Sequence, residues 1–100
     1  MNQQNQQQQK KINIADNIPG AEYSNMIQVG HNRDEIQMVF FTLMPPSGRV
    51  TGKIITTPGH FKRMAKLMSD TIKKYEEKFG EIKEAENVSE EIGFKDKGRG

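Results

Sequence analysis

Apolar positions recur along the chain in two rhythms, first every second residue and then every three or four. From Tyr23 to Val29 the positions Tyr23, Asn25, Ile27 and Val29 alternate against Ser24, Met26 and Gln28, which predicts a strand. Gly30-His31-Asn32-Arg33-Asp34 follows as a turn. Glu35 to Met44 is the strongest strand. One face carries Ile36, Met38, Phe40 and Met44, the other Val39, Phe41 and Leu43. An apolar set on both faces predicts burial on both faces. Pro45-Pro46-Ser47-Gly48 breaks the run, and Arg49 to Thr56 then alternates Val50, Gly52 and Ile54 against Arg49, Thr51 and Lys53. Gly52 is expected to mark a bulge or a close backbone approach. Ile12 and Ile14 offer a short extra edge strand ahead of the turn signal Asp16-Asn17-Ile18-Pro19-Gly20.

The rhythm changes at Thr57-Pro58-Gly59-His60. Thr57 suits the N-cap, because its hydroxyl can accept from an orphan amide of the first turn. Pro58 suits the first helical position, where a missing N–H costs nothing. Phe61, Ala65, Met68, Ile72, Tyr75 and Phe79 then form an apolar stripe, widened by Met64 and Leu67. This predicts an amphipathic helix of about six turns. Gly80 is a natural left-handed stop, with Ile82 continuing the phase for a frayed extra turn.

Together these elements predict an α+β domain over residues 12–82: a three- to four-stranded antiparallel meander followed by one long amphipathic C-terminal helix packed on the sheet. One helix covers one face of a sheet whose central strand is apolar on both. The second face therefore needs another layer, and a second copy of the chain is the simplest source. A homo-oligomer, with a dimer favoured, is expected. Its candidate interface is Met38, Val39, Phe40 and Phe41. The stripe of the helix is expected to be core.

The ends look different. Residues 1–11 are almost all Gln and Asn, closed by Lys10-Lys11, and residues 83–100 are highly charged. Both are expected to be flexible tails, with too little apolar surface to fold. Residues 87–94 carry a weak local pattern within the second. One hundred residues, of which 33% are hydrophobic, fit one small domain. The absence of cysteine excludes disulfides and cysteine-ligated zinc, and suits a cytoplasmic setting. No apolar run approaches the roughly 20 residues that span a membrane, and no signal peptide is read at the start of the chain.

Candidate chemistry is sparse. His31 and His60 are the only histidines, with Glu22, Asp34 and Glu35 the only nearby ligand types; two histidines fall short of a closed metal site. Ser24, Ser47 and Ser69 lack any spacing that implies a general base. No glycine-rich phosphate loop is present. An enzyme is not expected, nor is any cofactor. The start of the helix, with His60, Lys62, Arg63 and Lys66, is the candidate contact for an anion or nucleic acid. Lys62, Arg63, Lys66, Lys73 and Lys74 lie opposite the apolar stripe. Asp70 stands four residues after Lys66 and Glu77 four after Lys73, the spacing of a solvated, ion-paired helix face. A net charge of +2 adds little to a nucleic-acid reading.

The ordered set Tyr23-Ser24-Asn25, His31, Glu35, Pro45, Lys53-Ile54-Ile55, Thr57-Pro58, His60, Lys62-Arg63 and Tyr75-Glu76 resembles the bacterial and archaeal domain-of-unknown-function family 3467. The resemblance covers about Gly20 to Phe79. Val39 stands where the family pattern has an acidic residue, Gly52-Lys53 replaces a more usual Ser-Arg, and Phe61 replaces a small residue. The resemblance implies the same fold and a cytoplasmic protein, and it implies no activity and no site residues.

The function expected from the sequence is a small non-enzymatic homo-oligomeric protein-binding or adaptor module. A chaperone-like grip on unfolded chains is one form of it, since Met and Phe suit adaptable apolar contacts. The alternative is nucleic-acid binding on the basic helix face. No membrane partner is expected. Tyr23, Asn25, His31, Thr57 and His60 read as fold-keeping residues at caps, turns and strand ends.

Overall fold

The computed structural model describes residues 10–86 of the chain. Three strands, β1 (Met26–His31), β2 (Ile36–Met44) and β3 (Ser47–Thr56), are followed by one helix, α1 (Pro58–Phe79). The strands form an antiparallel sheet in the order β1-β2-β3. The arrangement is α+β, as the two rhythms predict. The chain divides after Pro58 into two compact units, the first holding the sheet and the second the helix.

Within the sheet unit each hairpin is closed by local chemistry. Between β1 and β2, Asn32 Oδ1 accepts from the amides of Asp34 (2.8 Å) and Glu35 (2.9 Å). Asn32 N in turn donates to Glu35 O at 3.0 Å. The carboxamide thus serves as a substitute backbone turn. Between β2 and β3 the link is only Pro45-Pro46, joined by a cis peptide bond, with Met44 and Ser47 already paired. β3 therefore starts two residues before the expected Arg49. The proline pair is confined to the loop because proline cannot donate to a ladder.

The register departs from the sequence reading at one place. Phe40 faces Gly52 while Phe41 faces Val50, so Thr51 is an extra residue in β3. The expected bulge exists, one residue before Gly52. The other reading of Gly52, a close backbone approach, does not hold, because an added Cβ there meets nothing within 4 Å. The bulge also breaks the simple alternation of β3. Val50 falls on the face of Phe41, whereas Ile54 faces Met38. One strand thereby supplies apolar residues to both faces of the sheet.

Met38 (2% exposed) and Phe41 (3%) form the buried core. They lie on opposite faces of β2 by strand alternation, so the central strand is buried from both sides as its composition predicts. The fourth strand is not formed: residues 12–15 are outside any strand, and Ile12 and Ile14 are exposed. With one polar residue between them and a turn just beyond, where Ile18 N donates to Asp16 Oδ1 at 3.0 Å, two isoleucines present too little apolar surface to hold a strand in place.

The helix unit begins at Pro58, with Thr57 in the N-cap position. It ends as the sequence indicates. Gly80 has φ +98°, and its amide donates to Glu76 O at 2.9 Å, the single backbone bond of a left-handed C-terminal cap. Glu76 then uses its side chain as well, since Oε2 accepts from Ile82 N at 3.0 Å. That second bond turns the chain away, so the extra helical turn through Ile82 does not form. Residues 1–9 of the Gln-rich segment and 87–100 of the charged segment, including the local pattern at 87–94, lie outside the described residues; Lys10, Lys11 and residues 83–86 are exposed coil.

Candidate functional site

The four central residues expected to form an interface are distributed over two faces. Met38 and Phe40 share one face of β2, Val39 and Phe41 the other. Met38 and Phe41 are buried within the single chain, while Val39 and Phe40 are half-buried. Open apolar surface lies instead on the outer strands. Ile27 and Val29 on β1 and Ile54 on β3 flank the Met38 face and are exposed; Val50 and Ile55 flank the Phe41 face and are exposed too.

A second open apolar surface is on α1. No residue of the helix is buried. Leu67 is 66% exposed, Phe79 65%, and Met68, Ile72 and Tyr75 are each about half exposed. Phe61 and Met64 are half-buried. At its C-terminal end the stripe makes contacts within the helix. The rings of Tyr75 and Phe79 pack with centroids 5.0 Å apart and planes inclined at 49°, and Lys78 Nζ stands 5.4 Å from the Phe79 ring centroid. The 4-3-4-3-4 spacing marks this stripe in the sequence.

The basic candidates sit on the same helix. His60, Lys62, Arg63 and Lys66 are all exposed. Arg63 is turned onto its neighbour: its Nε and one terminal nitrogen lie 3.2 and 2.8 Å from His60 Nδ1. Arg63 Nε donates to His60 Nδ1. Two members of the proposed anion contact are thus engaged with each other.

Several residues of the family-like pattern, Tyr23, Ser24 and Asn25 above all, join β1 to β2. Asn25 N donates to Phe41 O at 3.0 Å. The Asn25 carboxamide donates from Nδ2 to Leu43 O (3.0 Å) and accepts at Oδ1 from Leu43 N (2.8 Å). Ser24 Oγ lies 2.8 Å from Phe41 O and 3.1 Å from Met26 O, and Thr42 Oγ1 donates to Tyr23 O. This is why β1 starts at Met26 and not at Tyr23: the preceding residues join β2 largely through side chains. His31 ends β1, opposite Ile36. Glu22 pairs with Arg49 at 3.0 Å in the open, where such a pair contributes little. Among the described residues no three His, Asp or Glu side chains gather as metal ligands, no polar side chain is buried, and no helix is long and apolar enough to cross a membrane.

A family model described as "Protein of unknown function (DUF3467)" matches residues 1–84. No curated protein and no solved structure matches the chain.

Proposed function

The chain belongs to this family of unknown function, and from that premise we propose that it is a small, non-enzymatic, homo-oligomeric protein-binding or adaptor module, with a dimer favoured. One observation carries the reading: a 22-residue helix has an apolar stripe at regular spacing and no buried residue. Helices in water owe most of their stability to packing of an apolar face, and contiguous open apolar surface on a small protein marks an interaction site. Covering a half-exposed Leu, Met, Ile or Phe contributes on the order of 1 kcal/mol. A single such contact would not outweigh the roughly 4–15 kcal/mol cost of association, whereas the whole stripe on two copies is of comparable size. The association is therefore reversible and concentration-dependent.

Support for a non-enzymatic role comes from chemistry. Catalytic acids and bases are commonly tuned by burial or by close charged partners, and the described residues bury no polar side chain. The cysteine-free sequence is consistent with the reducing cytoplasm as its setting.

Sedimentation velocity of the full chain over a wide concentration range tests the reading, with and without a generic nucleic acid at low and high salt. A sedimentation coefficient that rises with protein concentration, unaffected by nucleic acid, is the expected result. A monomer at every concentration overturns it. A monomer that co-sediments with nucleic acid only at low salt also overturns it, and moves the working surface to Lys62, Arg63 and Lys66.

A further inference from the structure

We infer that α1 pairs with α1 of a second copy as an antiparallel two-helix coiled coil, with the two-fold axis level with Asp70. This deepens the self-association proposed above and rests on it. The stripe Phe61, Ala65, Met68, Ile72, Tyr75, Phe79 has the alternating spacing of 4 and 3 that keeps one seam facing a partner helix over its full length. All six side chains lie within one helix, and its last four members form the open stripe.

Volume selects the register. About an axis at Asp70, Phe61 meets Phe79 of the second copy, Met68 meets Ile72, and Ala65, the one small residue of the seam, meets Tyr75, the one residue with a phenolic ring. Each layer occurs twice, as a two-fold contact requires. Small residues opposite large ones let the layers interdigitate.

Charge selects the direction. From Pro58 to Ser69 the helix carries Lys62, Arg63 and Lys66 and no acid, and no acid stands in its first turn. This basic stretch sits toward the positive end of the helix dipole, where cations are unfavourable. The acids of the helix are all in its second half, Asp70, Glu76 and Glu77 interleaved with Lys73, Lys74 and Lys78, and Glu81, Glu84 and Glu86 follow beyond it with Lys83. An antiparallel partner brings this charge-balanced, acid-bearing half beside the wholly basic stretch. Lys62 is not opposite the stripe, as the sequence reading had it, but about 100° round the helix from Phe61; it flanks the seam on the same side as Glu76, so Lys62 of each copy stands opposite Glu76 of the other. A parallel pair would set the two basic stretches side by side.

Zero-length carbodiimide cross-linking of the full chain, read by mass spectrometry, tests this alongside sedimentation equilibrium. Lys62 and Glu76 of one straight helix are about 21 Å apart along its axis, so a direct Lys62–Glu76 link can form only between copies. The expected result is a dimer carrying that link, whose dissociation constant rises about fivefold in Lys62→Glu and less in Lys62→Gln. Glu near a helix N-terminus favours the helix itself, so weakening by Lys62→Glu is not a loss of helix. A dimer without the link, and with unchanged affinity in Lys62→Glu, overturns the helix pairing and leaves the self-association standing. A monomer at all concentrations overturns both.

Discussion

The side chain of Asn25 is bonded to the backbone of Leu43 in both directions, accepting from its amide at 2.8 Å and donating to its carbonyl at 3.0 Å. A carboxamide here does what a facing strand residue would do, and it extends the β1–β2 ladder one step past the start of β1. An intramolecular hydrogen bond contributes about 0.5–1.5 kcal/mol net. Asn25→Ala should therefore lower stability by about 1–2 kcal/mol. Asn25→Asp should be no better, since the carboxylate keeps the acceptor for Leu43 N but sets a negative charge against Leu43 O. Urea unfolding followed by circular dichroism checks this; an Asn25→Asp chain as stable as the parent would show that the donor half of the pair does nothing.

Phe41 and Phe40 are neighbours in sequence with different burdens. Phe41 is buried and Phe40 is half-buried. Phe41→Ala should cost about 3–5 kcal/mol, enough to unfold much of the population of so small a protein. Phe40→Ala should cost clearly less and leave a folded chain. Thermal unfolding of both variants decides it, and equal losses would mean that the two faces of β2 are packed alike.

At the end of α1, Gly80 adopts φ +98°, a conformation that disfavours a Cβ but has open space around it. Gly80→Ala should therefore destabilise through the backbone alone, by about 1 kcal/mol. The loss should appear as earlier fraying of Phe79 and Lys78 in hydrogen exchange. Unchanged exchange at those amides would sink the cap assignment.

Gly52 gives the opposite expectation. It lies beside the bulge, yet its backbone is not left-handed and an added Cβ meets nothing. Gly52→Ala should be neutral or stabilising by up to about 1 kcal/mol, because the unfolded chain loses freedom. A clear drop in the unfolding midpoint would show that the bulge needs glycine.

The strands and helix were readable because each signal was local and redundant. The stripe from Phe61 to Phe79 has six members at alternating spacings, and Thr57-Pro58 and Gly80 punctuate its ends with residues suited to those positions. The two-sided apolar pattern of β2 likewise announced burial on both faces. What was not readable depended on partners distant in sequence. Asn25 looks like any polar residue of an alternating strand until Leu43 is seen opposite it. The extra Thr51 leaves no mark in the alternation, because Val50 and Ile54 look in phase along the chain and separate only when Phe41 and Met38 claim them. The four interface candidates on β2 followed from a sound rule about two-sided strands, and two of them, Met38 and Phe41, are already buried within one chain.

The extra residue at Thr51 also sets how this strand can change over evolutionary time. Losing that one residue would leave an uninterrupted β3 in which Val50 and Ile54 stand three apart, so plain strand alternation keeps Val50 beside Phe41 and Ile54 beside Met38. The bulge is therefore the place where β3 can shorten by one residue without turning a side chain over, whereas a substitution at Thr51 leaves the two-against-one count as it is.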